Sequence, residues 1–302
     1  MINFSRNDPV PTTSSWCGPR VSPARGHGMT SELTGQDRVE LDLGAVAGVS
    51  DRGLRHHRNE DAMAVRRVTR SAEVIAVVCD GVSTSDNPDV ASRTAATTAA
   101  DALLEAREGG ADPITATHRA IAAAAEAVAA LERPKEESDT GRPPACTFVS
   151  AVVTDETITV GWVGDSRAYW LTAPAEKSAC MTLDDAWAAQ MVAAGHLTEE
   201  EAHNHKMAHV LMAWLGANAG EIRPHVVTFR PEGPGVVVVC SDGLWNYVPS
   251  AEELAEITLS SSLESPMEAA RVLTQRALDD GGRDNITVVI VPFPQGHAGQ
   301  RP

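Results

Sequence analysis

The chain has 302 residues, 43% of them hydrophobic and 22% charged, enough for one large folded domain or two small ones. Its net charge of −16, from 41 acidic against 25 basic side chains, speaks against a nucleic-acid ligand, because backbone phosphates call for clustered Lys and Arg. Four Phe and two Tyr leave little for base stacking, and no apolar run approaches the ~20 residues of a membrane span.

Residues 1 to about 38 are rich in Pro, Ser, Thr, Gly and Arg, and read as a disordered segment 1–38. Cys17-Gly18 lies there alone, too little for a metal knuckle. The start lacks the basic and apolar blocks of a signal peptide. Ala45–Val49, Ala62–Val68 and Val74–Cys79 read as strands. Asp89–Arg107 and Pro113–Leu131 are Ala-rich helical stretches, followed by a hydrophilic loop, Arg133–Pro144. Thr147–Val153, Thr157–Val163 and Arg167–Leu171 are strand-like, with turn residues between them. A helical segment, Leu183–Met212, interrupts the sheet. Strands follow at Val226–Phe229 and Val236–Cys240, helices at Ala251–Ile257 and Pro266–Leu278, and a last strand at Ile286–Val291. Residues 295–302 read as a disordered tail.

Strands meet strands and helices meet helices. The pattern predicts an α+β fold of two packed, mainly antiparallel β-sheets flanked by pairs of helices. The folded domain covers 39–294. Five cysteines form no CxxC pair, and Cys79, Cys146 and Cys240 sit in apolar runs, which predicts reduced thiols and a cytoplasmic protein.

The chemistry is concentrated in four acidic motifs: Arg58-Asn59-Glu60-Asp61, Cys79-Asp80-Gly81, Ser241-Asp242-Gly243 and Arg283-Asp284-Asn285. Each lies at one end of an apolar strand. An ionised Asp there is costly unless it is solvated, paired or bound to a cation. Four such positions could converge on one sheet edge, where a divalent ion offsets their repulsion. Oxygen donors without His or Cys favour Mg²⁺ or Mn²⁺ over Zn²⁺.

With Asp51-Arg52-Gly53 and Gly164-Asp165-Ser166-Arg167 added, these motifs resemble, in order, those of bacterial metal-dependent protein phosphatases of type 2C, the PPM family. The resemblance runs from about residue 44 to 292. It implies hydrolysis of phosphoserine or phosphothreonine by a metal-activated water, with two Mn²⁺ or Mg²⁺ ions. It implies Glu60 as ligand of one metal, Asp80 as the bridge, Gly81 as a carbonyl ligand, and Asp242 and Asp284 on the other metal. Asp61 would hold metal-bound water, and Asn285 would lie beside the phosphate. The implied partners are phosphorylated proteins, substrates of a Ser/Thr kinase.

Three positions depart from the family pattern. His56 stands where the family has a phosphate-gripping Arg. Arg55 and Arg58 flank it, and Arg58 shares its side if the segment is extended, which favours Arg58 as the clamp. Val82-Ser83-Thr84-Ser85 replaces a glycine pair. Pro144 occupies the place of a third-metal Asp, with Asp139 nearby in a loop, which speaks against a third metal.

Asp165 reads as a structural turn residue. His196, His203, His205 and His209 lie in Leu183–Met212, which matches the family's variable flap, so solvated or substrate-facing histidines are favoured over a zinc site. Two rival readings remain. One is a pseudophosphatase that binds phosphoproteins as a regulatory module, which the displaced Arg favours and the intact acids oppose. The other is a small-molecule phosphomonoesterase.

Overall fold

A computed structural model describes residues 37–69, 71–131, 141–208, 210–261 and 265–294. The expected disordered segments, except Asp37 and Arg38, lie outside the described residues, as do Asp139 and His209; so does the side chain of His203. In chain order the strands and helices are β1 (Arg38–Asp42), β2 (Ala47–Asp51), β3 (Asp61–Arg67), β4 (Val74–Asp80), α1 (Pro88–Glu108) and α2 (Pro113–Ala129). Next come β5 (Ala145–Cys146), β6 (Phe148–Val153), β7 (Ile158–Val163), β8 (Arg167–Thr172), β9 (Ala179–Cys180), α3 (Trp187–Ala193) and α4 (Glu199–His203). The chain continues through β10 (Leu215–Gly216), β11 (His225–Phe229), β12 (Gly235–Cys240), α5 (Asp242–Trp245), α6 (Ala251–Ser261), α7 (Pro266–Asp279) and β13 (Ile286–Phe293).

Two antiparallel sheets carry the fold. One runs β1-β2-β13-β12-β8-β9 and the other β11-β7-β6-β4-β3, with β5 and β10 as a small extra pair. Strand alternation explains the layers. In β4, Val74, Ala76 and Val78 face the other sheet, and Ile75, Val77 and Cys79 face α1 and α2. In β12, Val237 and Val239 point between the sheets, while Val236, Val238 and Cys240 meet the α6–α7 side. Both strands are therefore buried on both faces, which is why they read as continuous apolar runs. Each buried Val contributes about 1.5–3 kcal/mol relative to exposure.

Local chemistry sets the helix starts. Asp112 caps α2 by accepting from the Thr115 N–H at 3.0 Å, with Pro113 in the first turn. Ser265 caps α7 in the same way through Glu268. Ala91, Ala95 and Ala99 put a small-residue stripe on the buried face of α1. The α+β expectation holds, and the helical stretch 183–212 is corrected. Thr198 and Glu201 form a capping box that starts a separate α4, and Gly195, at φ 71°, breaks the chain after α3.

Candidate metal centre

Strand ends bring the motifs together. Asp61, first residue of β3, pairs in register with Asp80, last of β4. In the other sheet Asp51 ends β2 opposite Ile286, which begins β13 directly after Asp284-Asn285. Asp242 follows β12, the neighbour of β13. One edge of the sandwich thus receives acids from both sheets.

Glycines let these motifs touch. A Cβ on Gly243 would lie 1.9 Å from the Asn285 carbonyl oxygen, and one on Gly81 would lie 2.6 Å from that of Pro88 and 2.7 Å from that of Glu60. Gly81 N–H donates to the same Glu60 carbonyl at 3.1 Å. The glycines of the Asp-Gly pairs are therefore packing requirements.

A buried polar network supports the edge from beneath. The Ser241 hydroxyl donates to Asp61 Oδ2 at 2.6 Å, and Thr287 N–H donates to Ser241 Oγ at 3.0 Å. Ser50 Oγ and Thr287 Oγ1 lie 2.8 Å apart, and Asn59 Nδ2 donates to Ser50 at 2.8 Å. Asn285 accepts from Glu60 N–H at 2.7 Å and donates to the carbonyls of Arg52 (2.8 Å) and Arg58 (3.1 Å). With both amide protons and its oxygen committed to main chain, Asn285 positions the Arg52–Glu60 loop.

Electrostatics at the edge is adverse for the protein alone. Burial, followed by repulsion from Asp61 and Asp242, drives the Asp80 carboxyl well above its ordinary value. Burial raises Asp61 to about 7 against the relief from Ser241 and Thr287. Burial and Asp284 push Asp242 to about 6, although a hydrogen bond with Asp80 draws it down. Asp165 is also raised strongly, by burial first and Asp242 second. Its carboxyl, carried on the turn, therefore lies within electrostatic reach of Asp80 and Asp242. The turn places it there by crossing between sheets, from β7 to β8.

The remaining acids are turned toward protein partners. Glu60 accepts from Ser83 Oγ at 2.6 Å and from Arg58 Nε at 2.9 Å, and Arg58 also reaches Asp89 at 3.4 Å. His56 Nε2 lies 3.1 Å from Asp284 Oδ1. Both His56 and Arg58 thus face acids of the edge, although the chain turns at 53–55 and bends at 57–58 instead of running extended. Ser83 in the replaced glycine-pair segment orients Glu60, and Ser85 accepts from Ala145 N–H at 3.2 Å. Pro144 is buried and brings no side-chain donor.

Among the described residues no three acidic, His or Cys groups already stand at ligand spacing. Glu60 and Asp284 are held by separate protein partners instead of sharing one. The donor set still suits hard divalent cations. Asp61 Oδ1 and Asp242 Oδ1 are buried and receive no hydrogen bond from a donor group, and the raised carboxyls gain from any added positive charge.

Residues 52–278 match the family model described as Protein phosphatase 2C. This chain belongs to the protein phosphatase 2C family. The phosphatase is 31% identical over 252 residues to the serine/threonine phosphatase stp of Listeria innocua, covering 80% of this chain and 93% of that one. It is 30% identical over 266 residues to the serine/threonine protein phosphatase PstP of Mycobacterium tuberculosis, covering 87% of this chain and 47% of that longer protein. The crystal structure of PstP/Ppp from the same organism superposes with a TM-score of 0.65 at 28% identity, over 81% of this chain and 96% of that one. A structure of the PstP catalytic domain holding 2 manganese ions gives 0.62 at 27% identity, over 81% and 96%. The 2C-family chain is a protein serine/threonine phosphatase with the fold of its bacterial relatives. Among its described residues no helix is long and apolar enough to cross a membrane.

Proposed function

We propose that this phosphatase hydrolyses phosphoserine and phosphothreonine in cytoplasmic substrates of a Ser/Thr kinase, with two Mn²⁺ or Mg²⁺ ions at the acidic edge. Glu60, Asp80, the Gly81 carbonyl, Asp242 and Asp284 would hold the cations. Asp165 adjoins that set and would add charge to it. One observation carries the reading: buried carboxyls from two sheets meet at one edge, with Asp61 Oδ1 and Asp242 Oδ1 left without a donor.

Bound cations supply Lewis acidity, which acidifies water and offsets charge on phosphoryl oxygens. The chain's own groups do the rest. Ser241 fixes one oxygen of Asp61, so Oδ1 is free to orient a water or take its proton. Arg58 is half exposed and can turn from Glu60 and Asp89 to the incoming phosphate with a bidentate fork. His56 is held on Asp284 and is the less suited clamp. The buried cysteines are raised by desolvation at Cys79 and Cys240, which disfavours thiolate catalysis.

The test is turnover of p-nitrophenyl phosphate and of a phosphothreonine peptide with and without Mn²⁺, together with calorimetric titration of the metal. Metal binding with turnover of both is expected. Metal and peptide binding without turnover would instead support the pseudophosphatase, and turnover of the aryl phosphate alone the small-molecule enzyme.

A further inference from the structure

Arg55, His56, His57, Arg58, Glu60 and Ser83 line a recess of ≈ 440 Å³. Its inner basic side chains are engaged, His56 on Asp284 and Arg58 on Glu60 and Asp89. Ser83 gives its hydroxyl proton to Glu60. The outer pair is different. Arg55 and His57 are exposed and have no hydrogen-bond, ion-pair or ring partner among the described residues. Most of the described arginines are held in ion pairs, Arg66, Arg93, Arg107 and Arg167 among them. Arg55 instead borders a recess whose one carboxylate is already covered by Arg58.

Glu60 is the one expected metal ligand that lines this recess; Asp80, Asp242 and Asp284 do not. An anion held by Arg55 and His57 therefore sits beside the acidic edge, not on it. We propose that the recess receives a second phosphate of a doubly phosphorylated peptide, a site that rests on the protein phosphatase reading above. A phosphate group carries close to two charges and three acceptor oxygens, matched to a guanidinium fork and an imidazole N–H. In an extended peptide alternate side chains share a face at roughly 7 Å, so a second phosphate two residues from the cleaved one is the spacing to test.

The experiment compares three peptides of one sequence with Mn²⁺. One carries a single phosphothreonine, one a second phosphoserine two residues on, and one a Glu at that place. kcat/KM for the phosphothreonine and calorimetric affinity are measured for the wild type and for an Arg55→Ala, His57→Ala double variant. The wild type should favour the doubly phosphorylated peptide by about ten-fold, the scale of one charge-assisted contact. The variant should bring that ratio close to one. A wild-type ratio near one overturns the proposal, as does a ratio the variant keeps. Equal losses on all peptides also overturn it, because Arg55 and His57 would then grip the cleaved phosphate. A Glu peptide as good as the doubly phosphorylated one overturns the choice of phosphate. If no peptide is turned over but the calorimetric preference and its loss in the variant remain, the recess stands and the hydrolytic reading falls.

Discussion

At the acidic edge main chain lies against main chain: Gly243 against Asn285, Gly81 against Pro88 and Glu60, with a buried hydroxyl network beneath. The segment 183–212, the expected flap, is built the other way. Its helix α3 buries none of its residues, and α4 has one turn and little more. A few ties fasten it. Asp185 accepts from Gly164 N–H at 3.0 Å and pairs with His225 at 2.9 Å, Trp162 Nε1 donates to Leu183 O at 2.8 Å, and Arg167 grips Asp184 through two bonds. Between flap and body lies an apolar cavity of ≈ 410 Å³, bordered by Val192, Ala202, Arg167 and Trp245. The edge is tight in packing and strained in charge. The flap is relaxed in charge and thin in packing, the profile of a segment that opens locally.

Removing charge from the edge is the sharpest way to break this contrast. Asp242→Asn should lower kcat/KM by on the order of 10³-fold or more, about 4 kcal/mol of barrier. The same change should leave the cation-free melting temperature equal or higher, since it relieves repulsion. Near wild-type turnover in that variant would remove the metal-centre assignment.

Packing at the edge is tested by adding one methyl group. Gly243→Ala forces a carbon into the Asn285 carbonyl, which costs at least ~1–3 kcal/mol and roughly 2–4 °C per kcal/mol in a chain of this size. Gly233 has nothing within 4 Å of an added Cβ, so Gly233→Ala is the control. Equal melting temperatures for the two variants would show that the edge is not tightly built.

The same comparison explains what the sequence made legible. The motifs lie at strand ends, and strand ends are readable from apolar runs, so Asp61, Asp80, Asp242 and Asp284 were identifiable before any coordinates. Their glycines were readable as motif members but not as close neighbours of other main chain, because Gly243 meets Asn285 only after β12 and β13 pair. Asp165 looked like a turn because it is in one. Its approach to Asp242 depends on two sheets packing, which no local pattern records. Asn285 was visible as a residue, yet its three main-chain partners lie more than 200 positions away. Strand β1 was missed, being a short amphipathic run beside a Pro- and Ser-rich segment. The flap was misread as one helical stretch because its Ala content outweighed the signals at Gly195 and Thr198.

A smaller effect concerns protons. Asp61 at about 7 and Asp242 at about 6 both stand above the ordinary 3.8. A carboxyl with a raised folded-state value holds its proton more tightly when folded. Its contribution to cation-free stability is full below about pH 3.8 and is lost as pH rises through about 6 for Asp242 and about 7 for Asp61. Asp61→Asn removes one of these pH-dependent contributions while keeping an acceptor for Ser241. The cation-free wild type should therefore lose melting temperature relative to Asp61→Asn between about pH 4 and pH 8. A gap that stays constant over that range would contradict the buried-carboxyl account.

The smallest expected change lies in the flap. Asp185→Ala removes the acceptor for Gly164 N–H and the partner of His225, but leaves the main-chain bonds Asp185 N–H to Gly164 O and Met212 N–H to Asp185 O. Without these two partly exposed side-chain interactions the flap is fastened less firmly, by roughly 1–2 kcal/mol. That loosens the flap without touching an acid of the edge. Activity on p-nitrophenyl phosphate, which needs little surface beyond the edge, should stay within about two-fold. KM for a phosphoprotein should rise by roughly three- to ten-fold, because a loosened flap must be ordered again on binding. Equal changes on both substrates would mean that Asp185 acts on the edge through the Gly164 turn and Asp165, and the division between a tight edge and a loose flap would fail at that turn.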